Sequence, residues 1–375
     1  MPKLSPLPKP SAQAAAVSAA AAPPPLPDPV FCDRKHHIRI FQGDCLDILA
    51  ALPENSIDLI FADPPYFLSN NGITCHAGRM VSVNKGEWDR SRGPDANHEF
   101  NRLWLAACRR VLQPNGSIWV SGTSHVIHSV GFAMQQLEFK LLNDITWVKP
   151  NPPPNLSCRY FTHATETIIW AAKSKKSRHT FHYQRMKEIS GGKQMKSVWT
   201  IPPPESWEKK FGKHPAQKPI ALLERILLAS SDEGDLVLDP FMGSGTTLLT
   251  AFRLRRRAVG CDFEFQSVSL ALRRICSDLI QVEISVICIQ IDLDPRRDPM
   301  DRSRSTQNPH VTDAPPTRLV RRDRNFHFVG ANPRAVVFTV AADDMAEAWT
   351  RFRSSAASGT QVLFVIKSET EIYLA

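Results

Sequence analysis

The chain has 375 residues and eight cysteines, yet nowhere does it contain a Cys-x-x-Cys pair. That absence excludes a zinc ribbon and a small disulfide scaffold. Thiols scattered this widely read as reduced cysteines, and the chain as cytoplasmic. Long apolar runs are missing too: no window approaches the ~18 consecutive apolar residues of a membrane span. No glycine loop is followed by Gly-Lys-Ser/Thr, which removes the phosphate-binding P-loop. No metal site is expected; His125 and His128 read as core or surface histidines rather than a ligand pair.

What is present is basic. The formal charge is +9 and the pI about 9.2. Such a balance speaks to partners rather than to fold, and a polyanion such as nucleic acid fits it best. Hydrophobic residues make up 42% of the chain, ordinary for a globular core, and the length can hold one large domain with appendages or two domains.

Residues 1–30 form a Pro/Ala-rich segment without Leu-, Ile- or Phe-rich character at its centre, read as a disordered tail. Order is expected from about residue 31. "HIRIFQGD" (His37–Asp44) reads as a strand and turn, "CLDILAAL" (Cys45–Leu52) as a helix, and Ile57–Ala62 as a buried strand. Downstream, helix and strand alternate: a helix, a Pro-Asn-Gly turn and a strand at Ser117–Ser121, then helix and strand again, then "THATETIIWAAK" as a strand. This alternation predicts an α/β fold with a mostly parallel sheet. Residues 173–213 are basic, broken by proline and dotted with aromatics. Residues 286–325 read as a charged linker and residues 326–375 as a small α+β module. The domain proper is then 31–285.

Two motifs carry chemistry. In "SIDLIFADPPY" a buried strand delivers Asp63-Pro64-Pro65-Tyr66 at its carboxyl end, and a long polar loop follows, from Ser69 to Asp89. In "DLVLDPFMGSGTT" a strand feeds Asp239-Pro-Phe241-Met-Gly243-Ser244-Gly245-Thr246-Thr247, a glycine turn that opens a helix. Glycines let backbone approach a ligand, and a helix start offers free N–H groups. A further strand ends at Asp262, 19 residues beyond Gly243, the spacing at which an acid holds ribose hydroxyls. A nucleoside-bearing cofactor is indicated. The dinucleotide fingerprint is incomplete, because its third glycine is absent.

Together the two motifs resemble those of the amino-methyltransferases that move methyl from S-adenosylmethionine to an exocyclic amine of DNA, the adenine-N6 and cytosine-N4 enzymes of restriction–modification systems. "DPPY" is similar to their catalytic motif, "DPFMGSGTT" to their cofactor motif, and "HPAQKP" to the segment just upstream of it. With the catalytic motif first, the order resembles the permuted group called beta class. The likeness covers roughly residues 31–280, leaving both termini unexplained. It implies a Rossmann-like fold with S-adenosylmethionine as cofactor and double-stranded DNA as substrate. A cognate restriction endonuclease and a homodimer are the partners it suggests.

The resemblance also assigns residues. Asp63 and the Pro64 carbonyl would each accept one N–H of the target amine, Pro65 would stiffen the turn, and Tyr66 would stack on a base flipped from the duplex. Phe241, Gly243, Ser244, Gly245, Thr246 and Thr247, with Asp239 at the loop's start, would line the methionine end of the cofactor. Asp262 would hold the ribose, Lys218 and Pro219 would lie near the same pocket, and Asp44 and Cys45 would border the adenine ring. Asp63 rather than Ser tilts the target toward adenine; cytosine-N4 transfer and a catalytically inactive DNA-binding relative are the rivals. DNA contacts are expected from Asn70, Arg79 and Lys85 in the polar loop. Lys175, Lys176, Arg178, Arg185, Lys193 and Lys196 are expected to add others from residues 173–213, where the permuted group carries its target-recognition region. "RLRRR" (Arg253–Arg257) fits a helix C-terminus as well as it fits DNA.

Overall fold

A computed structural model describes residues 24–69, 73–76, 79–82 and 89–292, together with four strands between residues 325 and 374. The first strands are β1 (Phe31–Asp33), β2 (Ile38–Gln42) and β3 (Ile57–Ala62), with helix α1 (Cys45–Ala51) between the last two. A short hairpin, β4 (Ile73–His76) and β5 (Arg79–Ser82), lies inside the segment expected as a long loop. Then come α2 (Pro94–Val111), β6 (Leu112–Gly122), α3 (Ile127–Gln136), β7 (Lys140–Val148) and β8 (Thr165–Ala172). The basic segment holds α4 (Tyr183–Ile189) and β9 (Val198–Thr200). Helix α5 (Ile220–Ser230), β10 (Leu236–Asp239), α6 (Thr246–Arg253), β11 (Arg257–Asp262) and α7 (Phe265–Asp292) follow.

One nine-stranded sheet runs in the order β1-β2-β11-β10-β3-β6-β8-β7-β9. The block β2, β11, β10, β3, β6 is parallel throughout, as is the β7–β9 pair, whereas β1, β8 and their neighbours pair antiparallel. The α/β architecture with a mostly parallel sheet is the one expected. β3 is apolar along most of its length because helices cover both faces of a central parallel strand. Trp119 and Trp170 stack across β6 and β8 with ring centroids 4.6 Å apart, and the Trp119 indole donates to Ser230 Oγ of α5 at 2.9 Å.

The Pro-Asn-Gly turn is not a break before a strand. Leu112 already pairs with Ile57, and Ser117 pairs with Leu59, so residues 113–116 bulge out of a continuous β6. The expected boundary at 285 falls inside α7, and residues 293–324 lie outside the described residues. Of the C-terminal module, β12 (Asn325–Gly330), β13 (Phe338–Ala341), β14 (Val362–Lys367) and β15 (Glu371–Leu374) form a separate antiparallel sheet in the order β13-β12-β14-β15. Its expected helix, like the start of the Pro/Ala tail, lies outside the described residues. No described helix is long and apolar enough to cross a membrane.

Parallel pairing fixes where the site lies. β2, β11, β10 and β3 all end at one edge, where they deliver Asp44, Asp262, Asp239 and Asp63 side by side. From β10 the chain crosses to one side of the sheet and from β3 to the other. The crevice between them is the switch point at which open α/β sheets bind ligands.

Candidate active site and cofactor cleft

A cavity of about 370 Å³ opens along that edge, within the roughly 300–1,000 Å³ usual for ligand pockets. One end is lined by Asp63, Pro64, Pro65, Tyr66 and Lys218, the end expected to be catalytic; the other by Asp44, Cys45, Phe241, Gly243, Ser244, Thr246, Thr247 and Asp262. Asp239 also borders it. The catalytic turn and the glycine loop, remote in sequence, therefore share one space.

The glycine loop is held by buried acids. Asp239 accepts from the Thr247 hydroxyl at 2.5 Å and from the Phe241 N–H at 3.0 Å. Burial pushes its carboxyl up to about 7, against the pull of those donors. Asp262 accepts from the N–H of Gly243 and of Glu264, both at 2.9 Å, and its carboxyl is likewise raised by burial. Gly243 takes φ +50° with the His214 ring against it, and Gly245 takes φ +73°. A Cβ on Gly245 would stand 2.7 Å from that of Ala271, so this residue serves the close packing of α6 on α7. Ser244 Oγ and Thr246 Oγ1 both receive the Arg274 guanidinium, at 2.9 and 2.8 Å. Burial lowers that guanidinium to about 10.

Two expected cofactor residues thus do not reach the cavity. Gly245 packs on α7, and Pro219 serves as the N-cap residue of α5. Asp44 lines the cavity while capping α1 through its 2.8 Å bond from the Leu46 N–H. The Cys45 thiol beside it is buried, and burial raises its pKa far from reactivity.

At the catalytic end, Asp63 Oδ1 accepts the Tyr66 hydroxyl at 2.6 Å and Oδ2 accepts the Lys218 ammonium at 2.5 Å. Burial pushes the Asp63 carboxyl up, and Lys218 counters it. Burial disfavours the Lys218 cation as well, but Asp63 and Glu166 together hold it above the ordinary lysine value. Burial, then Asp63 and Glu166, push the Tyr66 phenol well above its usual value, so it stays a donor.

Sequence reasoning missed the residues behind this turn. Asp89, fully buried, accepts from the N–H groups of Tyr66, Phe67 and Leu68 and from the Ser69 hydroxyl, at 2.8 to 3.2 Å. It thereby holds Phe67 at φ +58°, a strained value for a residue with a side chain. The residue closed the motif-bearing stretch but carried no signal of a partner 23 positions upstream. Glu166 and Lys149 enter from β8 and from just beyond β7. Nothing local marked them, because they depend on β8 running against β6.

That antiparallel turn also sets where the residues expected to meet DNA lie relative to the cavity. The chain leaves β8 at the far edge of the sheet, where Lys173 N–H meets the Gly116 carbonyl and Arg178 N–H meets Asn115 Oδ1. Lys175, Lys176 and Arg178 therefore lie opposite the cavity. Arg185 belongs to α4, whose N-cap His182 is tied to Ala229 and Ser231 at the far end of α5. Lys193 and Lys196 precede β9, which runs parallel to β7 back toward the cavity edge. None of the six is brought to the cavity. Arg79 begins β5, while Asn70 and Lys85 lie outside the described residues. Most of "RLRRR" is absorbed locally: Arg253 pairs with Asp278, Arg256 with Ser231, and Arg257 with the Gly234 carbonyl.

Comparison with known proteins identifies the family. The family model of the N6/N4 DNA methylases matches residues 57–273, from the start of β3 into α7. The chain belongs to the N6/N4 DNA methylase family. It is 53% identical over 242 residues to the Type II methyltransferase M2.DpnII of Streptococcus pneumoniae, a match covering 64% of this chain and 90% of that protein. To M2.MboI of Moraxella bovis it is 50% identical over 246 residues, covering 66% and 90%. Among solved structures, the cytosine-N4-specific PvuII DNA methyltransferase superposes with a TM-score of 0.52 at 21% identity, covering 66% of this chain and 88% of that one, a likeness of fold. The cofactor of this methylase is S-adenosylmethionine. The cleft fits it: acids at the ends of β2 and β11 suit the hydroxyls and amines of a nucleoside, and the narrow glycine turn leaves room beside Asp63.

Proposed function

We propose that this methylase transfers the methyl group to the N6 amine of adenine within a short DNA sequence, in a restriction–modification setting like that of its Type II relatives. The observation that carries the reading is the shared cavity, with Asp63 and Pro64 at one end and the glycine loop at the other. S-adenosylmethionine, when bound, supplies an activated methyl. The chain must present the amine to it. The amine's lone pair is delocalised into the ring, so the site has to localise it. Asp63 accepts one N–H and the Pro64 carbonyl the other, which favours a tetrahedral nitrogen aimed at the donor. Asp63 takes the excess proton once the N–C bond forms. Tyr66 offers its ring to a base taken out of the duplex, offsetting part of the unstacking cost.

The cofactor contacts are proposed for Asp44, Phe241, Gly243 and Asp262, with Asp239, Ser244, Thr246 and Thr247 shaping the loop. DNA would meet the cavity edge. Two segments lie there: residues 149–164, between β7 and β8, and residues 201–213, after β9. The first exposes Tyr160 and Phe161, at 60% and 96%, beside Arg159; the second exposes Trp207 near Lys209, Lys210 and Lys213. Aromatic faces among cations suit unstacked bases and phosphates.

The test is to incubate the protein with labelled S-adenosylmethionine and unmethylated DNA, digest to nucleosides, and identify the labelled one. N6-methyladenine is expected, and Asp63→Ala should abolish it, a loss of about 10²–10⁴-fold or more. N4-methylcytosine would overturn the choice of base.

A further inference from the structure

The mechanism leaves a buried ionic cluster unused. Glu166, at the start of β8, lies at the back of the catalytic turn and is almost fully buried. Its Oε1 accepts the ammonium of Lys149, just beyond the end of β7. Its Oε2 lies 3.6 Å from Lys218 Nζ, 3.4 Å from the Tyr66 hydroxyl and 3.4 Å from Ser121 Oγ of β6. Lys218 and Tyr66 are the two groups that grip the oxygens of Asp63. Charges alternate along the row: Lys149, Glu166, Lys218, Asp63.

We propose that Glu166 is a positioning residue for methyl transfer: anchored by Lys149, it holds the Lys218 ammonium and the Tyr66 hydroxyl, and these two aim Asp63 at the target amine. The proposal rests on the reading of Asp63 as the acceptor of the amine proton. Four strand ends contribute, from β3, β6, β7 and β8, together with the residue before the N-cap of α5. A side chain that is merely filling space would not need two cations and a phenol on its carboxylate. Burying two carboxylates and two ammonium groups is favourable only when each is paired, and here the cluster is neutral as a whole. Burial opposes ionisation of Glu166, yet Lys218 and Lys149 hold its carboxyl down at about 2. It therefore stays an anion across the working range. It is not a proton acceptor for Asp63, which burial raises. Its task is to fix the groups around Asp63 and to set the charge that Asp63 feels.

That second effect has a definite sign. The charged groups facing Asp63 are Lys218, Glu166 and, from β10, Asp239. Glu166 raises the Asp63 pKa by like-charge repulsion. Neutralising it in Glu166→Gln removes that repulsion and leaves two cations to one anion in the row, so the Asp63 pKa falls. Activity requires ionised Asp63, so the acid limb of the rate profile moves to lower pH. Removing Lys149 in Lys149→Met does the opposite: the row keeps two anions to one cation, and the acid limb moves up. The double variant restores a balanced row.

The experiment measures single-turnover transfer of labelled methyl from saturating S-adenosylmethionine to unmethylated DNA, from pH 5 to 9, for the wild type, both single variants and the double. Label in DNA is counted whichever base carries it, so the result stands apart from the choice of adenine over cytosine. The expected plateau rate of Glu166→Gln is roughly 10–100-fold lower, an orientation loss. Its acid limb should shift down by about one pH unit, and that of Lys149→Met should shift up. Cofactor affinity, from equilibrium dialysis, should stay within about twofold, and the double variant should return the limb toward wild type. Limbs that do not move, or that move the same way in both single variants, would overturn the proposal. If Glu166→Gln does not fold, the upward shift in Lys149→Met decides alone, and its absence counts against the idea.

Discussion

The catalytic turn and the glycine loop sit at the ends of adjacent strands, and both are braced by buried carboxylates. They differ in what those carboxylates face. In the glycine loop, Asp239 and Asp262 meet N–H and hydroxyl donors, and burial raises the Asp239 carboxyl to about 7. In the catalytic turn, Asp63 meets an ammonium and a phenol, backed by a second ion pair. The loop that only shapes a binding surface is built on dipoles. The turn proposed to accept a proton is built on full charges.

Three substitutions set that contrast against itself, and two combined variants probe the surface. The largest effect is expected from Asp89→Ala. It strips the acceptor from three backbone N–H groups at once, one buried and two part-buried, and a buried donor left unpaired costs roughly 1–3 kcal/mol. Thermal melting should fall by several degrees and the transfer rate at saturating cofactor by more than about tenfold, with cofactor affinity little changed. Gly245→Ala should reverse that pattern. Its φ of +73° and the 2.7 Å approach to Ala271 force the loop to move. The left-handed backbone alone costs roughly 1–2 kcal/mol. Cofactor affinity should drop while the rate at saturation holds, and a rate loss as large as that of Asp89→Ala would dissolve the distinction.

A smaller effect is expected from Asp239→Asn, and it depends on pH. The folded carboxyl titrates near 7 against 3.8 for an ordinary one. Between those values the folded state holds a proton that the unfolded chain has lost, so this group's contribution to stability declines as pH rises through the window. Melting curves of the variant and the wild type should therefore converge near pH 4, and the variant should gain relative to the wild type by pH 8. The smallest effect, none, is expected from Lys175→Ala, Lys176→Ala and Arg178→Ala combined, read as the salt dependence of DNA binding. Lys209→Ala with Lys210→Ala should flatten it instead.

Both motifs, the sheet type and the cofactor were legible because each is written in contiguous residues. Ile57–Ala62 announces a buried strand, and Gly243-Ser-Gly245 a strand-to-helix turn. The direction of β8 was not legible. Its apolar pattern would serve either orientation, and direction is settled only by packing against β6 and β7. Everything that depends on it was hidden: Glu166 and Lys149 arriving at Asp63, and the basic run after Ala172 leaving on the opposite edge. Charge and aromatics marked residues 173–213 as candidates for DNA contact, but composition has no edge or face. Asp89 was hidden for a related reason, since a carboxylate meeting backbone donors 20-odd residues away leaves no periodic trace.

The clamp formed by Asp89 also closes the base of a loop. Ser69 N–H also meets the Asp89 carbonyl at 3.1 Å, so the segment between them departs from and returns to one closed junction. A loop closed at its base transmits little of its own length to what lies beneath. Doubling such a loop costs only about 0.6 kcal/mol in closure entropy. The length of this segment and the placement of Tyr66 are thus set by separate terms: closure entropy for the one, the Asp89 bonds for the other.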